Sequence, residues 1–95
     1  MDTDIDGLRD EIRGKDLRII ELIAERIECA ERIAEIKIRE GLPIKNPEAE
    51  EKVVNRYLEH GRAKGIGEDT MLTVALSLID ECVRAENRIA DKTKI

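Results

Sequence analysis

From Leu17 to Glu40 the chain reads LRIIELIAERIECAERIAEIKIRE, with no Gly or Pro and apolar residues returning every three or four positions. That spacing predicts an uninterrupted helix. Extended toward the N-terminus at 100° per residue, it places Leu8, Ile12, Ile19, Ile23, Arg26, Ala30, Ile33 and Lys37 within one face about 80° wide. Six of these eight are apolar and two carry fixed positive charge. A cation turned toward a core costs several kcal/mol unless an anion meets it. Thr3 or Asp4 can cap this helix, Asp6, Asp10 and Glu11 suit its positive end, and Gly41 and Pro43 close it. The predicted first helix therefore runs over about 4–39.

Its length decides the assembly it implies. About 36 residues span roughly 54 Å, whereas a compact globule of this size has a diameter of only about 32 Å. Ile5, Ile20, Ile27, Ala34 and Ile38 form a second apolar row beside the first. A wide apolar arc on an overhanging helix asks for neighbours on two sides, and dimerisation through this helix is the simplest answer.

A short GLPIK connection leads to Asn46-Pro47-Glu48, an N-cap followed by Pro at the first helical position and an acidic first turn. The second helix is predicted over 47–59, with Val53, Val54, Tyr57 and Leu58 apolar, and His60-Gly61 and Gly65-Ile66-Gly67 bracket a loop. Glu68 and Asp69 open a third helix over 68–90, along which Met71, Ala75, Leu78, Cys82, Ala85 and Ile89 recur at helical spacing. The tail DKTKI is predicted to fray. Gly7 and Gly14 interrupt the first helix with no reason visible in the sequence.

Composition narrows the class. Charged and apolar residues each make up 41% of 95 residues, with one aromatic, Tyr57, as suits one all-α domain packed through aliphatic seams. A formal charge of −5 makes nucleic acid and anionic membrane surfaces poor partners. The chain has no apolar run near 18 residues and no signal-peptide pattern, which points to a soluble, cytoplasmic protein. Cys29 and Cys82 read as buried reduced thiols, and with His60 they make no metal-site spacing.

The polar residues on the apolar faces carry the chemistry. Arg26 and Lys37 lie three turns and about 16 Å apart on one side of one helix. Either each pairs with a carboxylate on a neighbouring helix or snorkels to the surface, or both converge on a small anion with two acidic groups. Glu86, four residues after Cys82, is either a surface carboxylate or an acid in a partly apolar cleft that donates a hydrogen bond when protonated. Arg9, near the second row, can pair with Asp16 or reach into a partner subunit. Periodicity favours neither.

The order LRDEIRGKDLRIIELIAERIECAERIAEIK, followed by GLPIKNPEAEE, resembles the small all-helical chorismate mutases. The shared features are an Arg in the first turns, a D-x-x-I-x-x-L-I-A-E-R core, a Lys eleven residues beyond that Arg, and a Pro-containing loop before an acidic helix start. The resemblance covers about residues 5–90. It implies an intertwined homodimer of three-helix chains and, with no cofactor or metal, the Claisen rearrangement of chorismate to prephenate in phenylalanine and tyrosine biosynthesis.

Position by position, the resemblance implies that Arg26 binds one substrate carboxylate and Arg9 of the other subunit the second. Lys37 and Glu86 would donate to the ether oxygen of the breaking bond, and the backbone near Asn46 with Glu50 would hold the ring hydroxyl. Cys82 falls where the family usually has Ser, Thr or Asn. Ala49 falls where the family typically has Arg, within a D-x-x-R-E pattern that here reads N-P-E-A-E, so one cation is missing unless Lys45, Lys52 or Arg56 replaces it. An isochorismate pyruvate lyase on the same scaffold, or a non-catalytic helical dimerisation or regulatory module, are the alternatives.

Overall fold

The computed structural model describes residues 2–93, with side chains from Asp4 onward. Three helices account for the fold: α1 (Asp2–Glu40), α2 (Pro47–Ala63) and α3 (Glu68–Lys92). The protein is all-α, as the aliphatic periodicity and near absence of aromatics predict. α1 begins two residues before the predicted start, so Asp4 lies inside its first turns rather than capping them, and the Thr3 side chain lies outside the described residues. Asp91 and Lys92 of the predicted fraying tail are helical, and Lys94 and Ile95 lie outside the described residues.

Both connections are built by glycine in the left-handed region. Gly41 (φ 70°) follows α1, with Leu42 N–H donating to Lys37 O at 2.7 Å and Gly41 N–H to Ile38 O at 3.3 Å. Gly65 (φ 72°) follows α2 in the same pattern, Ile66 N–H donating to Gly61 O and Gly65 N–H to Arg62 O. This paired capping satisfies the last helical carbonyls and turns the chain sharply.

α2 runs four residues past its predicted end, through His60 and Gly61 to Ala63. Gly61 is not a breaker but a contact: it is buried, and a Cβ built on it would collide with Met71 of α3, coming within 2.6 Å of the sulfur. Gly61→Ala therefore sets about 1 kcal/mol of helix propensity against an overpacking cost of about 1–3 kcal/mol. Net destabilisation, read as a lower urea midpoint, is expected. Gly7 and Gly14 have open space around them, and nothing in the structure explains them.

α3 packs against both other helices, while α1 and α2 make no comparable contact with each other among the described residues. The core is made of small side chains: Ala30 and Ala34 of α1, and Ala75, Cys82 and Ala85 of α3. Small groups on both faces let the helices approach closely, but no large side chain among the described residues is fully buried. Cys29, expected buried, is exposed. It lies a full 100° round the helix from Ala30, the residue that meets α3.

α1 leaves the core behind. The molecule measures 61 × 26 × 15 Å with a radius of gyration of 17.2 Å, against about 12 Å for a compact chain of this length. Between Ile5 and Leu22, seven Ile and Leu side chains are 51–61% exposed. No described helix is long and apolar enough to cross a membrane.

Candidate active site

Because α3 holds α1 and α2 apart, a cavity of about 410 Å³ opens between them with α3 as its floor. α1 contributes Arg26, Ala30, Ile33 and Lys37, α2 and its N-cap Asn46, Ala49, Glu50 and Val53, and α3 Ile79, Cys82, Val83 and Glu86. The structure thus brings Arg26, Lys37, Asn46, Glu50, Cys82 and Glu86 together. Arg9 is not among them. It lies seventeen residues before Arg26 on the same straight helix, about 26 Å away along the axis.

Lys37 is held from two directions. Its ammonium donates to Ile44 O at 2.7 Å and to Glu86 Oε2 at 3.2 Å. Both side chains are mostly buried, at 17% and 11% exposed, so this pair is shielded from the screening that weakens surface ion pairs. An ammonium has three donors, so one remains for the cavity. The Ile44 carbonyl was not visible in the sequence as part of the site. It reaches Lys37 because the Gly41 turn, followed by Pro43, folds the loop back along α1.

Arg26 is placed differently. Its Nη1 donates to Cys82 Sγ at 2.8 Å and more weakly to Leu78 O at 3.5 Å. It meets no carboxylate among the described residues. Cys82, buried at 6% exposure, thereby fixes the rotamer of the guanidinium, while its own S–H points back to Arg26 O at 3.9 Å. A partly buried guanidinium with five donors and only a thiol and a carbonyl as partners is an incomplete anion site.

The α2 wall is set by its cap. Asn46 Oδ1 accepts the Ala49 N–H at 3.2 Å, which commits the Asn46 side chain to the helix and leaves its backbone at the cavity edge. Glu50 lines the cavity half-buried, and Lys45 from the loop lies 3.6 Å from its Oε2. Ile33, Val53, Ile79 and Val83 supply apolar walls. The cavity therefore combines cations, acids and apolar surface, as a small organic anion needs.

Comparison with known proteins gives this arrangement its family. A model described as chorismate mutase type II matches residues 8–87, which include every residue that lines the cavity. The chain belongs to the type II chorismate mutase family. Its relatives include a protein named chorismate mutase from Methanocaldococcus jannaschii, 29% identical over 87 residues covering 92% of this chain and 88% of that protein. The T-protein of Enterobacter agglomerans is 31% identical over 93 residues, 98% of this chain but 25% of the T-protein. A bifunctional chorismate mutase/prephenate dehydratase of Aquifex aeolicus is 32% identical over 85 residues, 86% of this chain and 24% of that enzyme. The chain thus spans about a quarter of the length of the last two. No solved structure shows a significant match.

Proposed function

We propose that this chain is a chorismate mutase that rearranges chorismate to prephenate at the α1–α2–α3 cavity. The observation that carries this reading is the placement of Arg26 and Lys37 on one cavity with Glu86, with no carboxylate partner for Arg26 among the described residues. The substrate supplies the missing anion. Arg26 binds one of its two carboxylates, and the Glu50 carboxyl and the backbone at Asn46 hold the ring hydroxyl. Apolar contact with Ile33 and Val83 favours the compact conformer in which the bonding carbons meet.

As the C–O bond breaks, negative charge grows on the ether oxygen. Lys37 has a free N–H for it, and Glu86, 3.2 Å from the same ammonium, donates a second hydrogen bond when protonated. Donors fixed in place before the charge develops stabilise the transition state more than the substrate. No group on the protein is covalently changed, and no cofactor enters the scheme.

The second carboxylate needs a cation that the chain does not place in its own cavity. We assign it to Arg9 of a partner subunit in a homodimer. Exposed Ile33 and half-buried Ile79 and Val83 line the cavity. The overhanging half of α1 offers a matching apolar row in Leu8 and Ile12, with Arg9 beside it. Laid across the mouth, that row buries both surfaces and carries Arg9 over the substrate.

The donor role of Glu86 has a direct test. Only a protonated carboxyl donates to the ether oxygen, and the amide of Gln presents an N–H donor in nearly the same place. Glu86→Gln should therefore keep kcat within about tenfold of wild type, whereas Glu86→Ala, which removes the donor, should lower it by about 10²–10³. Equal losses in the two variants would remove Glu86 from this role.

A further inference from the structure

The α2 wall of the cavity has an electrostatic fault. Its charged group is Glu50, a carboxylate facing a site proposed for a dianion, and Ala49 beside it adds only a methyl group. Across the whole lining, Arg26 and Lys37 are formally balanced by Glu50 and Glu86. Glu86 is paired with Lys37 at 3.2 Å, so Glu50 remains the lining carboxylate that faces the substrate with no cation of the lining on it. Like charges held at a few ångströms in a partly dry site cost affinity that a neighbouring cation can recover.

That cation is present outside the lining. Lys45, at the end of the loop from α1, holds its ammonium 3.6 Å from Glu50 Oε2, with its side chain 70% exposed and that of Glu50 26% exposed. The loop is fixed on both sides: Ile44 O accepts from Lys37, and Asn46 caps α2. Lys45 therefore stands between two anchored residues at the cavity rim. Its side chain is long and mobile enough to turn from Glu50 toward an incoming carboxylate. Lys52 and Arg56 also lie on α2, but neither lines this cavity, and Arg56 lines an adjoining one that shares Arg26 and runs toward Tyr57 and His60.

We propose that Lys45 is the substrate-binding cation that serves the α2 wall from the preceding loop. In this structure its ammonium offsets the charge of Glu50. With substrate bound it shares the second carboxylate, the one assigned to Arg9 of the partner subunit, and leaves Glu50 free to hold the ring hydroxyl. This deepens the chorismate mutase reading and rests on it. It also gives a reason why the chain tolerates Ala49: the charge that the family's Arg would bring from α2 comes instead from the loop.

The test is steady-state kinetics of the full chain with chorismate, alongside calorimetric binding of a bicyclic diacid that mimics the transition state. Lys45→Gln should raise KM and weaken diacid binding about fivefold, with kcat changed much less. Lys45→Arg should stay near wild type. Ala49→Arg placed in the Lys45→Gln background should restore KM, since it returns a cation to the same wall from another position. A role confined to bracing the loop would not be rescued from position 49. Wild-type turnover with KM in Lys45→Gln within twofold of wild type overturns the Lys45 role and leaves the chorismate mutase reading standing. A wild-type chain that neither turns over chorismate nor binds the diacid overturns both.

Discussion

Lys37→Ala should lower kcat/KM by about 10²–10³, the loss seen when one donor to a developing oxyanion is removed. The same change should also reduce stability. Glu86 is only 8% exposed, and without the ammonium its carboxyl loses a partner 3.2 Å away, at a cost of about 1–3 kcal/mol. The two effects separate in the double variant. Adding Glu86→Gln to Lys37→Ala replaces the stranded carboxyl with a neutral amide, so the urea midpoint should recover in part while turnover stays low. Activity of folded Lys37→Ala within tenfold of wild type would refute the proposed cavity chemistry. Circular dichroism at the assay temperature supplies the folding control.

The second large effect concerns Arg9. If the partner's Arg9 completes the site, Arg9→Ala and Lys37→Ala are defects in different chains of the same active site. Each variant alone should be nearly inactive. Mixed and allowed to exchange, half of the dimers pair one chain of each kind, and one of the two sites in such a dimer has Lys37 from one chain and Arg9 from the other. About a quarter of all sites should then be intact, as the two-fold symmetry of a homodimer requires. Activity that stays at the level of the separate variants, in a mixture shown by mass to contain mixed dimers, would place Arg9 outside the site. Leu8→Glu with Ile12→Glu should abolish the dimer itself. These side chains are 58% and 57% exposed within one chain, and two charges in that row leave the cavity mouth uncovered.

Sequence and structure agree most closely along α1. A long run at helical period, a single face and a glycine stop determine where Arg26, Ala30 and Lys37 point, and the apolar excess already implies more surface than one chain covers. α3 is legible for the same reason, since its stripe of Ala75, Cys82 and Ala85 is the stripe that becomes buried. The end of α2 is not. Gly61 has the local preferences of a breaker, and only its tertiary neighbour Met71 explains why helix continues through it. Cys29 misleads in the opposite sense, lying beside an apolar stripe that α3 does not cover.

Within the cavity, which α1 side chains share one face is legible in the sequence and what they bond to is not. Helical geometry puts Arg26 and Lys37 on one face, but not that Lys37 engages both Ile44 O and Glu86 while Arg26 rests on Cys82. Those contacts depend on how the Gly41 turn folds the loop and on the register of α3 against α1. Both are long-range outcomes of packing small residues. Ala49 stands out in the sequence only by its departure from the family pattern. Its consequence becomes visible once Lys45 is placed beside Glu50.

The reaction is tested most directly by following chorismate loss and the products formed by the purified chain, with isochorismate tested in parallel. Prephenate formed from chorismate at a rate far above the uncatalysed background, and lowered by about 10²–10³ in Lys37→Ala, is the predicted result. No acceleration with chorismate, or release of pyruvate from isochorismate as the main reaction, would contradict it.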